Sequence, residues 1–133
     1  MWEAYREVSR KHPRLSLAAE RRLIRQAQKG VRASRDELVL RHVGFVIWRL
    51  CERVFRPHLE HHGEDMLPAA IPVLYQKVGT YNLNYRDRAG NKQPVRFSSY
   101  IWKRIDGLAI DFLRHERRMG GRLDEACLVD IHD

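Results

Sequence analysis

Val95-Arg96-Phe97-Ser98-Ser99-Tyr100-Ile101-Trp102-Lys103-Arg104-Ile105, running on to Asp111-Phe112-Leu113-Arg114, separates into two faces when wound as a helix. Ile101, Ile105, Leu108 and Phe112 recur at spacings of four, three and four and share one stripe. Tyr100, Lys103, Gly107, Arg114 and Arg118 fall on the opposite side. One side is fit for burial, and the other offers an aromatic ring among cations. That pairing suits a polyanion that also carries flat bases to stack. A solvated basic face with one stray tyrosine has the same pattern, so the rest of the chain must be weighed with it.

Upstream, Trp2, Tyr5 and Val8 stand at helical spacing before Pro13. Ser16 reads as the N-cap of a helix from Leu17 to Lys29, with Gly30 at its stop. Ser34-Arg35-Asp36-Glu37 reads as a capping box opening a third helix. Val39, Val43, Val46, Leu50 and Val54 form its apolar face, and Pro57 closes it. A polar loop is expected from His58 to Gly63, then a fourth helix from about Glu64-Asp65 with Leu67, Ile71, Leu74, Tyr75 and Val78 inward. Pro68 fits its first turn, whereas Pro72 removes a backbone hydrogen bond. Asn82 to Pro94 is a polar connection turning at Ala89-Gly90-Asn91, and the last helix runs from Phe97 or Ser98 to near Met119. With no internal repeat and no strand pattern, the expectation is an all-α, compact bundle of about five helices over residues 1–118, followed by a linker or frayed tail over 119–133.

The chain's 133 residues suit one domain, and 44% hydrophobic content excludes wholesale disorder. The formal charge is +8 and arginine greatly outnumbers lysine, a bias that suits phosphate. No apolar run resembles a signal peptide or a membrane span, so a cytoplasmic, reduced setting is expected. Cys51 lies on an apolar stripe and reads as a buried thiol; neither it nor Cys127 has metal-binding spacing. His58, His61 and His62 with Glu64 and Asp65 include a His-x-x-His spacing. Structural zinc wants four ligands with thiolates among them, so a solvated loop is expected there, and no metal or cofactor is assigned. No nucleophile motif or glycine-rich phosphate loop suggests an enzyme.

A family resemblance follows from several segments in order. Phe97-Ser98-Ser99-Tyr100 is similar to the Phe-Ser-Thr-Tyr element of bacterial sigma-70 family RNA polymerase sigma factors. Ala109-Ile110-Asp111-Phe112-Leu113-Arg114 resembles the extracytoplasmic-function branch. Leu15 to Glu20 and Leu23 to Gly30 resemble the helix and glycine stop preceding the family's central domain, region 2. Leu38 to Val46 resembles its next helix, and Asp65-Met66-Leu67 with Val78-Gly79-Thr80-Tyr81 its polymerase-binding helix. The matches cover roughly residues 5–118.

The resemblance implies a transcription initiation factor that binds core polymerase and melts a −10-like promoter element. An extruded base needs an aromatic platform and a pocket. Tyr100 is the expected platform, and Phe97 either walls the pocket or closes the core. Ser99 either bonds a base or phosphate or caps the helix. Arg96, Lys103, Arg104 and Arg114 are expected to hold phosphates of the non-template single strand. Housekeeping members carry two tryptophans where this chain has Lys103 and Arg104. The implied contact with the polymerase large-subunit coiled coil uses Asp65, Met66, Leu67 and Ile71, with Arg49 and Arg53 nearby. Pro68 and Ala69 replace the family's glutamine and glutamate there. Relatives carry a further helix-turn-helix domain, and Leu123-Asp124-Glu125 resembles the start of the linker to it. An anti-sigma protein is an implied further partner. The alternative is a regulatory module of the same fold that binds polymerase or an anti-sigma protein without melting DNA.

Overall fold

In the computed structural model, which describes residues 2–118 apart from 87, 93 and 94, the chain is helical nearly throughout. The helices are α1 (Glu3–Lys11), α2 (Leu17–Gln28), α3 (Arg32–Leu40), α4 (Val43–Arg53), α5 (Arg56–Thr80) and α6 (Phe97–Arg118). Among the described residues the one pairing of extended chain is an isolated antiparallel bridge between Arg86 and Lys92. It encloses a turn in which Gly90 takes a φ of +84° that other residues resist. The all-α bundle is as expected, with six helices among the described residues in place of about five. The expected end near Met119, the tail and Cys127 lie outside the described residues.

α6 packs between α4 and α5, α1 lies on α4, and α2 pairs with α3 while both lean on α5. The core they share includes Ile24, Leu38, Val46, Leu50, Met66, Leu67, Leu74, Phe97, Ile101, Ile105 and Leu113. Side chains from distant segments tie off the helix ends. Ser16 accepts from the Ala19 N–H at 3.2 Å and opens α2 as expected. Gln28 donates to the carbonyls of Val78 and Tyr81 at 3.0 and 2.7 Å, satisfying orphan acceptors where α5 ends. Arg21 donates to Leu83 at 2.6 Å and holds the start of the long connection against α2. The buried Trp2 indole donates to the Gly63 carbonyl at 2.6 Å and pins the N-terminal segment to α5.

Several boundaries differ from expectation. The single helix expected to end at Pro57 is two, because the chain turns at Arg41-His42 and sends the His42 ring inward. Its apolar residues Val39, Val43, Val46, Leu50 and Val54 are nonetheless all buried. Ser34 is no cap: it lies inside α3 and donates to Gln26 Oε1 at 2.8 Å. His58 to Gly63 is helix, because His58, Leu59 and Gly63 face inward, and Pro57 opens α5. Pro68 and Pro72 are both interior to α5. On α6, Ile101 and Ile105 are buried, but Phe97, Ala109, Ile110 and Leu113 complete the inward face, while Leu108 and Phe112 are half-buried. Packing between two helices centres that face on the line through 101, 105 and 109. Cys51 is exposed, since α4 turns it away from the core. No helix among the described residues is long and apolar enough to cross a membrane.

Candidate nucleic-acid interface

The start of α6 is set by a carboxylate from another helix. Glu20 shares the inward face of α2 with Ile24 and is only 2% exposed. Its Oε2 accepts from the Phe97 N–H at 3.0 Å, one of the orphan donors at the positive end of α6. Its Oε1 lies 3.3 Å from His42 Nε2 and 4.0 Å from Arg96 Nε. The other His42 nitrogen, Nδ1, donates to the Leu38 carbonyl at 2.8 Å, because a carbonyl can only accept. Burial opposes ionisation of Glu20, but the His42 and Phe97 hydrogen bonds and the charges of His42 and Arg96 outweigh it. Its pKa therefore falls below the ordinary value. One buried group thus locks the α3–α4 turn, α2 and the start of α6 together.

From that start, α6 presents an outward face with a different flank on either side. Ser99, Lys103, Arg104 and Arg114 are exposed on it, with Arg114 about three turns beyond Lys103. The flank toward the end of α5 carries Tyr100, which is half-buried. Its ring meets Tyr81 edge-on at 5.5 Å, its hydroxyl lies 2.8 Å from Thr80 Oγ1, and Lys77 Nζ stands 5.1 Å from its centroid. The flank toward α4 carries Trp102. Arg49 covers its ring at 4.7 Å and makes two bonds to Asp106, at 2.8 and 2.6 Å. Those bonds raise the Arg49 pKa further above its ordinary value. Beside them, Trp48 projects from α4 with 53% of its surface exposed.

Two concavities border this face. A cleft of about 560 Å³ lies between the α1–α2 link, α4 and the start of α6. His12, Arg14, Arg41, Phe45 and Trp48 are on its walls, and Glu20 and His42 also line it. A second hollow of about 290 Å³ lies between α4 and α6, with Trp48 and Trp102 among its walls.

The residues expected to touch DNA divide into two groups. Ser99, Lys103, Arg104 and Arg114 stand where solvent reaches them, and Tyr100 is accessible in part. Phe97 is fully buried beneath His42 and Tyr81, so it closes the core rather than walling a pocket. Arg96 is drawn inward, donating to the Leu15 carbonyl at 2.7 Å, and serves the α1–α2 link rather than a phosphate. Ser99 is the third residue of α6 and not its cap. Trp48 and Trp102 were not singled out by pattern. Trp48 lies off the Val43, Val46 and Leu50 stripe, which was a legible sign of an outward indole.

The residues expected to meet polymerase divide too. Asp65 is exposed on α5 together with Pro68, Ala69 and Pro72, and Ile71 is half-buried. Met66 and Leu67 are wholly inside the core, turned away from the exposed side of α5 that carries Asp65, and offer a partner nothing. Arg49 is committed to Asp106 and Trp102, so it belongs to the α4–α6 flank. Arg53 is half-buried at the end of α4. Of the histidines weighed for a metal, His58 is buried with its ring edge-on to Phe55 at 5.4 Å, and His62 lies against Phe112. Against models of protein families, curated proteins and solved structures, the chain finds no match.

Proposed function

We propose that the chain is the promoter-opening domain of a transcription initiation factor of the sigma-70 type. It docks on core RNA polymerase and holds the non-template strand of an opened −10-like element, with no chemistry of its own. The observation that carries this reading is the outward face of the first turns of α6. There Ser99 and Lys103 stand exposed between two aromatic flanks, Tyr100 and Trp102, with the exposed Arg104 one turn beyond Tyr100, on a chain of net charge +8. Cations hold the phosphates of a strand, and rings take up the stacking that bases lose when a duplex opens. The 560 Å³ cleft beside this face has room for an extruded base. Docking falls to the exposed side of α5, where Asp65 stands beside Pro68 and Ala69.

A second reading keeps the fold and the partners, polymerase or an anti-sigma protein, without DNA melting. It is favoured by the burial of Phe97 and the tethering of Tyr100 to Thr80, which leave fewer free rings on the Tyr100 flank. Permanganate footprinting separates the two. The chain is mixed with core polymerase and a promoter bearing a −10-like element. Thymines of the non-template strand becoming reactive is the expected result. Polymerase binding with unreactive thymines would select the second reading.

A further inference from the structure

We propose that the hollow between α4 and α6 is a slot for one unpaired nucleobase, with Trp48 and Trp102 as its flat walls and Arg49 as the positioning residue that orients Trp102. The inference rests on the reading of this face as a single-strand-binding surface and assigns base contact to a place the resemblance does not indicate. The hollow measures about 290 Å³, and the Ser98 and Ser99 residues line it beside the two indoles. A half-exposed indole such as Trp48 is costly to leave in water and is well suited to cover a planar partner. Trp102 is held by a guanidinium at 4.7 Å whose own direction is fixed by two bonds to Asp106. A ring held in this way loses little freedom when a ligand arrives.

The surrounding charge selects the occupant. Asp106, the partner of the Arg49 that lines the slot, is neutralised by it at 2.6 Å, and the exposed Lys103 stands beside Trp102. Lys103 Nζ stands 5.4 Å from the Trp102 centroid on a flexible stem and can turn to a phosphate. The serine hydroxyls can donate to or accept from a base edge. A base paired in a duplex is stacked on both sides and cannot enter, so the slot suits a single strand.

The test uses the whole chain, with oligodeoxythymidylate and an abasic deoxyribose-phosphate oligomer of equal length as probes. Fluorescence anisotropy is expected to show the thymidylate bound more tightly. Trp48→Ala and Trp102→Ala should each weaken thymidylate binding roughly 5- to 150-fold, the range of one stacked base, and leave the abasic oligomer unaffected. Arg49→Lys, which keeps the charge but loses the planar fork that Asp106 holds over Trp102, should lower the thymidylate-to-abasic ratio without changing the salt dependence, which a loss of charge contacts would alter. Intrinsic fluorescence gives a second readout that needs no truncation. The chain has 3 tryptophans, and Trp2 is buried away from α6. Thymidylate should quench the wild type but not a Trp48→Phe, Trp102→Phe double variant. Equal binding of the two probes, unquenched emission, or alanine variants that bind normally would overturn the slot while leaving DNA binding by the α6 cations intact. Failure of the wild type to bind either probe would remove that underlying reading and the slot with it. Variants that bind DNA normally but lose core polymerase would make the slot a protein contact and likewise overturn it.

Discussion

Glu20 sets where α6 begins without lying on the outward face of α6. It occupies a position on the apolar face of α2, caps α6 from outside that helix and holds His42 in the turn that separates α3 from α4. Glu20→Ala should lower stability by about 3 kcal/mol or more, because it strands a buried histidine and an amide. Chemical denaturation measures this directly. The folded pKa of Glu20 lies below the unfolded value, so its contribution is fully present above the ordinary glutamate range. It is lost as pH falls through the lower folded value, and the variant should show a shallower acid limb than the wild type. Phe97 and Arg96 show why residue roles were only partly legible. A phenylalanine and an arginine at the head of a basic helix serve a pocket or a core equally well, and only the inward pull of Glu20 and Leu15 decides. The spacing places Tyr100 off the core stripe, yet it rests on Tyr81 and Thr80, so truncating it tests packing and binding together.

Helices whose ends carry local chemistry were legible, and those whose ends depend on distant partners were not. Ser16 and Gly30 bracket α2 by rules that act within a few residues. The break at Arg41-His42 has no local signal, since the apolar stripe continues through it, and it depends on Glu20 far upstream. α5 begins earlier than the pattern suggests: the histidines and glycine of its first turns read as a loop, although His58 and Gly63 are buried there. Its exposed side carries Asp65, Pro68 and Ala69, so the docking proposal can be probed there without disturbing the core. Pro68→Gln with Ala69→Glu returns an N–H to the helix and adds two polar groups. It should tighten association with core polymerase by about 1 kcal/mol, roughly fivefold, in a pull-down or surface titration. No gain would mean that α5 does not carry the contact.

At the scale of the molecule, the buried sides of α4, α5 and α6 make one core, and what remains outside is a cationic helix face between aromatic flanks. In the proposed reading, the net charge of +8 would supply long-range attraction to a polyanion, and the rings would supply preference for bases that are not paired. Charge alone would favour the duplex, which carries more phosphate per length, so strand preference isolates the contribution of the rings. The most direct measurement is therefore anisotropy of the chain with the non-template strand of a −10-like element and with the duplex of the same sequence, across a salt series. The single strand should bind at least about tenfold more tightly, and its affinity should fall steeply with salt as phosphate contacts release counterions. Equal affinity for the two forms, or a flat salt response, would contradict the assignment of this face to an opened strand.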